Sequence, residues 1–347
     1  MPQSEMIRKA TYEDLPELME VFGKAREIMR ASGNMNQWND GYPSEEIVRK
    51  DIEKGVSYVL CEPNKGAGRD FGTKDNERII ATMAFIPGPD PTYAKIYDGK
   101  WLDDSPYHVI HRIAAAEPGH NAASRLLAWA FTQTECIRID THKDNVIMQH
   151  VLNKQGFTHC GTIYLANGDP REAYQMNIKV NKYQALYNLA QCYFEGEDDL
   201  IANMANLSAM IHREFGFWWT GFYRVAGEQL VLGPFQGPTA CTKIAYGKGV
   251  CGSAWKRGET IIVPDVEEFP GHIACSSESR SEIVVPVWRD GRIVAVLDID
   301  SEKLGTFTET DRYWLEKNRR LYIRGGAQPI DPQTHTHFSV PPKGSTE

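Results

Sequence analysis

The spacing of apolar residues changes several times along this chain, and each change marks an element. After Thr11, with Asp14 three residues on, Leu15, Leu18, Phe22, Ala25 and Met29 recur at helical intervals, which predicts a capped amphipathic helix packed by one face on a sheet. The runs "VSYVLCE", "RIIATMAFIPG", "YHVIHRIAAAEP" and "CIRIDT" are apolar over strand lengths and predict strands. Between the first two lies "PNKGAGRDFGTKDNE", polar and glycine-rich, which reads as an exposed, mobile hairpin excursion. In "GHNAASRLLAWAFTQTE", Ala122, Leu126, Leu127 and Ala130 form a helical stripe. "HKDNVIMQHVLNKQGF" predicts a short helix with Met148, Val151 and Leu152 inward and Gly156 just past its end, where a left-handed C-cap suits glycine. The strands "THCGTIYL" and "EAYQMNIKV" close this half near residue 180.

From Tyr183 the pattern restarts as two helices, "YQALYNLAQCYFEGE" and "DDLIANMANLSAMIHREF", followed by a strand-rich region to about Ile323. Residues 324–347 mix Pro, Gly, Thr and His without periodicity and predict a disordered or loosely docked tail. No internal repeat is visible. Two different folds are expected, spanning 1–180 and 181–323.

Composition narrows the classes. The 347 residues are 41% hydrophobic and 24% charged, with no apolar run of about 18 residues that spans a bilayer. The first residues lack a secretory pattern and the formal net charge is −8, so a cytoplasmic protein without a nucleic-acid partner is expected. Seven cysteines, an odd number without CxxC spacing, argue against a disulfide framework or a zinc site of that type. Cys241, Cys251 and Cys275 fall close together in the chain. They are either redox groups or small buried apolar residues.

The hairpin "SEIVVPVWRDGRIVAVLDIDSE" carries the candidate chemistry. A three-residue loop, Arg289-Asp290-Gly291, sets Trp288 opposite Arg292 and, counting back, Glu282 opposite Asp298, with Asp300 on the same face two residues on. A two-residue Asp-Gly turn is the alternative, and it places Glu282 on the other face and dissolves the cluster. Cys275 lies a few residues ahead of Glu282 in "FPGHIACSSESRSEIVVP". A thiol, clustered acids and two further thiols suit reduction of a sulfoxide. A thiolate attacks the sulfur, an acid raised by its like-charged neighbours protonates the oxygen, and a second cysteine traps the sulfenic acid. An external dithiol resets the enzyme. His272, in the same loop, is either an activator of Cys275 or a hydrogen-bonding spacer.

The run from "GPFQGPTAC" through "GVCGSAW" and "GHIAC" to "VLDIDS", with "WWTGFYR" before it and "FTETDRYWLEK" after it, resembles the free methionine-(R)-sulfoxide reductases of the GAF fold, over nearly all of residues 183–320. The resemblance implies Cys275 as the attacking cysteine, Cys241 as resolving partner and Cys251 as a further redox cysteine. It implies Glu282, Asp298 and Asp300 as substrate-binding and proton-donating acids, and Trp219 and Tyr223 as walls around the sulfoxide methyl. On residues alone, Trp219 and Tyr223 read as core. Ser276 replaces the Asp that many members carry after the cysteine. A pocket that grips both ends of one amino acid restricts the enzyme to free methionine-(R)-sulfoxide. Thioredoxin or a similar dithiol is the expected reductant, no bound cofactor or metal is needed, and a homodimer is expected.

The order of elements in residues 6–180, and above all "THKDNVIMQHVLNKQGF", resembles the GNAT acyltransferases, with Asn145, Gly156 and Phe157 matching the last unit of that fold. The resemblance implies acetyl-CoA held by strand backbone at Ile113 to Ala115 and by Gly119, Asn121, Ala122, Ala123 and Ser124 at a helix N-terminus, where amides suit a pyrophosphate. "EPGHNAAS" departs from the usual Q/R-x-x-G-x-G/A loop, lacking its first residue type and its middle glycine; a degenerate, non-catalytic domain is the alternative. Trp38 and Tyr42, in the polar "GNMNQWNDGYP", are expected to shape an acceptor pocket. Tyr164 reads as an acid or as core. The expected architecture is thus α+β and α/β: a GNAT-like mixed sheet with helices, then a GAF-like antiparallel sheet flanked by helices. The function expected is sulfoxide reduction joined to acetyl transfer, the alternative being a GAF sensor that regulates the transferase.

Overall fold

In a computed structural model, which describes residues 6–64, 76–272 and 277–319, the chain divides between Lys182 and Tyr183. Cys275 and Ser276, most of the glycine-rich excursion and the tail lie outside the described residues.

Seven strands form the first sheet: β1 (Met6–Lys9), β2 (Ser57–Pro63), β3 (Glu77–Pro87), β4 (His108–Ala115), β5 (Cys136–Thr141), β6 (Thr158–Tyr164) and β7 (Pro170–Asn177). Their order is β1-β2-β3-β4-β5-β7-β6, antiparallel except for β4 beside β5. Helices α1 (Leu15–Ala31) and α2 (Glu45–Glu53) cover one face, α3 (Ala122–Ala130) and α4 (Val146–Lys154) the other. Strand alternation explains the split: Val59 and Cys61 join the core of Leu18 and Phe22, whereas Leu60 between them joins that of Leu126, Leu127 and Leu152. Two covered faces are why these strands read as unbroken apolar runs.

Local signals act as expected in two places. Thr11 N–H donates to Asp14 Oδ2 at 2.7 Å, although a 3-10 turn, Tyr12–Asp14, is inserted before α1. Gly156 holds φ at 86°, and the Phe157 amide reaches back to the Leu152 carbonyl at 3.0 Å, closing α4. The last strand is shorter than expected. Asn177 Oδ1 accepts the amides of Lys179 at 2.9 Å and Val180 at 3.3 Å, and this side-chain cap starts α5 (Ile178–Phe194) where β7 stops.

The second unit adds α6 (Leu200–Phe215), α7 (Gly249–Arg257) and α8 (Glu309–Arg319) to six strands: β8 (Trp219–Ala226), β9 (Gln229–Gln236), β10 (Lys243–Ala245), β11 (Ile261–Val263), β12 (Ser281–Arg289) and β13 (Arg292–Ser301). The sheet order is β10-β9-β8-β13-β12-β11, antiparallel throughout. α6 packs on β8 and β9, and α8 on β12. Tyr183 of α5 stacks near Phe215 and Trp314 and donates to Asp311 at 2.8 Å. α7, which the strand-rich reading of this region did not anticipate, packs on β10, β12 and β13, on the face holding Trp219, Tyr223, Val284 and Val296.

Candidate active site

β12 and β13 meet through a two-residue turn, not the expected three-residue loop. Asp290 and Gly291 hold φ at 49° and 73°, the left-handed pair of a type I′ turn, and Arg289 pairs with Arg292. Val294 is then an extra residue, since Trp288 pairs with Ile293 but Val287 with Ala295. The turn moves the ladder by one position from expectation and the bulge moves it by one more, which restores the faces. Glu282 therefore stands opposite Asp300 instead of Asp298, Asp298 stands opposite Val284, and the three carboxyl groups still share one face.

β8 extends these rows, with Trp219 beside Asp300, Gly221 beside Asp298 and Tyr223 beside Val296. Trp219 folds over Gly221 to lie 5.8 Å from Tyr223 between ring centres. A Cβ on Gly221 would stand 2.5 Å from Trp219 Cη2 and 2.4 Å from Phe235 Cβ, so only glycine admits this arrangement. The Trp219 indole donates to the Pro238 carbonyl at 3.1 Å and the Tyr223 hydroxyl to that of Cys241 at 3.0 Å. Both aromatics are buried in the core, and both line a cavity of about 40 Å³ shared with Cys251, His272, Glu282, Asp298 and Asp300.

Burial, then the charges of Asp298 and Asp300, push Glu282 well above the usual carboxylate range. Asp298 is raised for the same reasons, by burial and then by Asp300. Burial lifts Asp300 to about 6, against a hydrogen bond of 2.5 Å from Ser279 Oγ. All three carboxyl groups are thus shifted toward their protonated forms, the direction that suits an acid giving a proton to a leaving oxygen.

Cys251 is the third residue of α7, buried, with Sγ 4.0 Å from Glu282 Oε1. Burial and then Asp298 and Glu282 push its thiol well above its ordinary value, which makes it a poor nucleophile. Cys241 is disulfide-bonded, whereas Cys251 is free. His272 Nε2 lies 4.0 Å from Glu282 Oε2, and burial lowers its pKa.

The first unit carries a second cavity, of about 550 Å³. β4 and β5 pair through His108, Val109 and Ile110 of β4, so the far half of β4, with Ile113 and Ala115, has no strand on that side among the described residues. At the divergence Arg112 and Ile113 bulge opposite Met83, with Arg112 at φ 53°. Its guanidinium grips both oxygens of Asp51, at 2.7 and 2.9 Å. Trp38, Tyr42, Ile113 and Asn145 line the cavity. Asn145 caps α4 by accepting from Met148 N at 3.1 Å and donates to Gln37 at 2.9 Å. Asn121 stands at φ 49°, a conformation asparagine tolerates, and makes no side-chain cap to α3, whose first residues are Ala122, Ala123 and Ser124. Tyr164 is exposed, edge-on to Tyr97, and is not core.

Sequence reasoning missed His111 and Asp140, which line the cavity, and the groups behind them. His111 Nε2 lies 3.0 Å from Asp90 Oδ2, its Nδ1 lies 3.9 Å from Asp140 Oδ1, and Tyr93 donates to Asp140 at 2.6 Å. His111 sits inside an apolar strand run and Asp90 in a loop, so no spacing links them.

The carboxy-terminal fold and its acid-lined cavity define a GAF domain, and a sequence model of that domain family matches residues 195–317. The GAF domain-containing protein A of Dictyostelium discoideum is 51% identical over 144 residues, 41% of this chain and 91% of that protein. The free methionine-R-sulfoxide reductase of Saccharomyces cerevisiae is 41% identical over 160 residues, 43% of this chain and 88% of that enzyme. The chain belongs to the GAF-domain family of free methionine-R-sulfoxide reductases. Its amino-terminal unit is similar to a GNAT-family acetyltransferase structure from Streptococcus agalactiae, with 32% identity, a TM-score of 0.43, and coverage of 50% of this chain and 96% of that one. No helix among the described residues is long and apolar enough to cross a membrane.

Proposed function

We propose that the carboxy-terminal unit reduces free methionine-(R)-sulfoxide to methionine. The observation that carries this reading is the buried row of Glu282, Asp300 and Asp298 against Trp219 and Tyr223. It offers acids to an ammonium group, an aromatic wall to a methyl group, and a proton to the sulfoxide oxygen. The Cys275 thiolate attacks the sulfoxide sulfur and the acid row protonates the oxygen. The sulfoxide gains two electrons and leaves as the thioether, while Cys275 becomes a sulfenic acid. The Cys241 thiol displaces water from that acid to form a disulfide, which a dithiol such as thioredoxin reduces. The disulfide at Cys241, with Cys251 free, supports this choice of resolving cysteine.

The test is NADPH consumption by the purified chain with thioredoxin and its reductase, given either epimer of free methionine sulfoxide. Sustained turnover of the (R) form alone, abolished by Cys275→Ser, is expected. A redox sensor would consume one equivalent and stop, and that outcome would sink the reading.

The amino-terminal unit we read as an acetyl-CoA-dependent N-acetyltransferase. The side of β4 at Ile113 to Ala115 beyond its pairing with β5 suits the pantetheine arm, and the N-terminal turn of α3 at Ala122 to Ser124 suits the pyrophosphate. When bound, the cofactor supplies the thioester. His111, its Nε2 held by Asp90, takes a proton on Nδ1 from an acceptor ammonium placed beside Asp140. An amino acid such as methionine sulfoxide is the proposed acceptor. Labelled acetyl-CoA and free amino acids should give N-acetyl products; none, with cofactor binding intact, would overturn that acceptor class.

A further inference from the structure

Cys251 has no turn in the reduction cycle, yet its thiol is buried against the acids that bind substrate. Its Sγ, a Glu282 oxygen and an Asp298 oxygen all lie within 4.8 Å of one another. His272 brings a fourth donor, 4.0 Å from the second Glu282 oxygen, and lines the same cavity. Asp298 is 7% exposed, and its Oδ1 is buried with no hydrogen-bond partner among the described residues. A buried side-chain oxygen without a donor leaves room for a further ligand.

We propose that Cys251, Glu282, Asp298 and His272 form a site for a thiophilic divalent cation, zinc in the first instance, which takes the place of the substrate's ammonium group and blocks the reductase until it is removed. Geometry and donor type both favour this. Four-coordinate zinc has bonds of about 2.0–2.3 Å, which sets its ligand atoms roughly 3.3–3.7 Å apart. The separations of 4.0 Å from Cys251 Sγ to Glu282 Oε1 and from His272 Nε2 to Glu282 Oε2 are each close to that spacing, and His272 would have to move toward the other two donors to complete the set. A thiolate with an imidazole selects zinc over magnesium or calcium, which prefer all-oxygen sites. Binding releases the displaced protons to solvent. The four ligands come from a helix, a loop and two strands, which is why no CxxC spacing announces them. As a block on catalysis, the site rests on the reductase reading; as a metal site, it does not.

The test uses the full chain, thiols reduced and metal stripped. Zinc affinity is read by competition with a chromophoric chelator, and the ligand sulfur by the thiolate-to-metal charge-transfer band of bound cadmium. Wild type and Cys275→Ser should each bind one ion at micromolar free metal. Cys251→Ser should lose the band, and Asp298→Asn should bind at least ~10-fold more weakly. Free methionine-(R)-sulfoxide should raise the apparent zinc dissociation constant. Circular dichroism establishes that each variant is folded. A band that survives in folded Cys251→Ser, a band lost in Cys275→Ser, or no binding to wild type overturns the site. Binding with these ligands but no sulfoxide turnover by the metal-free chain leaves the site standing and removes the reductase reading instead.

Discussion

Asp90 works at the scale of one residue, and pH exposes it. The hydrogen bond from His111 is the main cause that holds its carboxyl at about 2, below the ordinary 3.8, with burial opposing. A carboxyl depressed in the fold contributes stability above its unfolded value, and that contribution is lost as pH falls toward the folded one. Asp90→Asn is therefore expected to lower the urea midpoint at neutral pH, with the deficit shrinking as pH falls from 3.8 to about 2. A deficit that does not change over this range would show that the charge of Asp90 is irrelevant. The variant should also slow the proposed acetyl transfer, because a neutral amide holds His111 less firmly than the carboxylate does. Gly221 is the counterpart in the reductase. Gly221→Ala forces Trp219 or Phe235 to move, at a cost of about 1–3 kcal/mol, typical of overpacking, and should raise KM for the sulfoxide. An unchanged denaturation midpoint and KM would mean that the aromatic wall tolerates the methyl.

Whole elements decide where those residues can act. Arg112 stands at a bulge with positive φ, with its guanidinium on both carboxylate oxygens of Asp51 of α2 and on the Tyr42 hydroxyl at 3.3 Å. Arg112→Met leaves Asp51 buried without its cation, a loss of about 3–5 kcal/mol for a broken buried pair. Pairing it with Asp51→Asn should recover much of that loss in chemical denaturation; a double variant as unstable as the single one would assign the effect to the bulge backbone. The hairpin shows how far the sequence could be read. Its acids were visible as residue types, and alternation placed Glu282, Asp298 and Asp300 together. The register was not legible, because the turn and the bulge each shift it by one residue and only their sum conserves the face. Asn177 is the same lesson in the other unit: a strand-like run ended early because one side chain captured two amides. His111 and Asp90 stayed hidden because the contact joins a strand to a distant loop.

At the scale of the molecule, each unit holds its own sheet and its own buried cluster: Leu60, Leu126 and Ile137 in one, Trp219, Tyr223 and Val284 in the other. A domain with its own core can fold alone. The division falls at Lys182 and Tyr183, but α5 begins at Ile178 and buries Tyr183, Leu186, Ala190 and Phe194. Removing its first turn would shorten a helix near the length at which helices are only marginally stable without packing. The second unit should therefore be separated before Ile178. Residues 178–347 alone are expected to reduce free methionine-(R)-sulfoxide with the kcat and KM of the whole chain. A soluble, folded fragment with kcat reduced tenfold, about 1.4 kcal/mol of transition-state stabilisation, would mean that the amino-terminal unit takes part in sulfoxide chemistry. Equal constants would mean that fusion serves something other than catalysis at the GAF site, and would direct attention to the acceptor proposed for the 550 Å³ cavity.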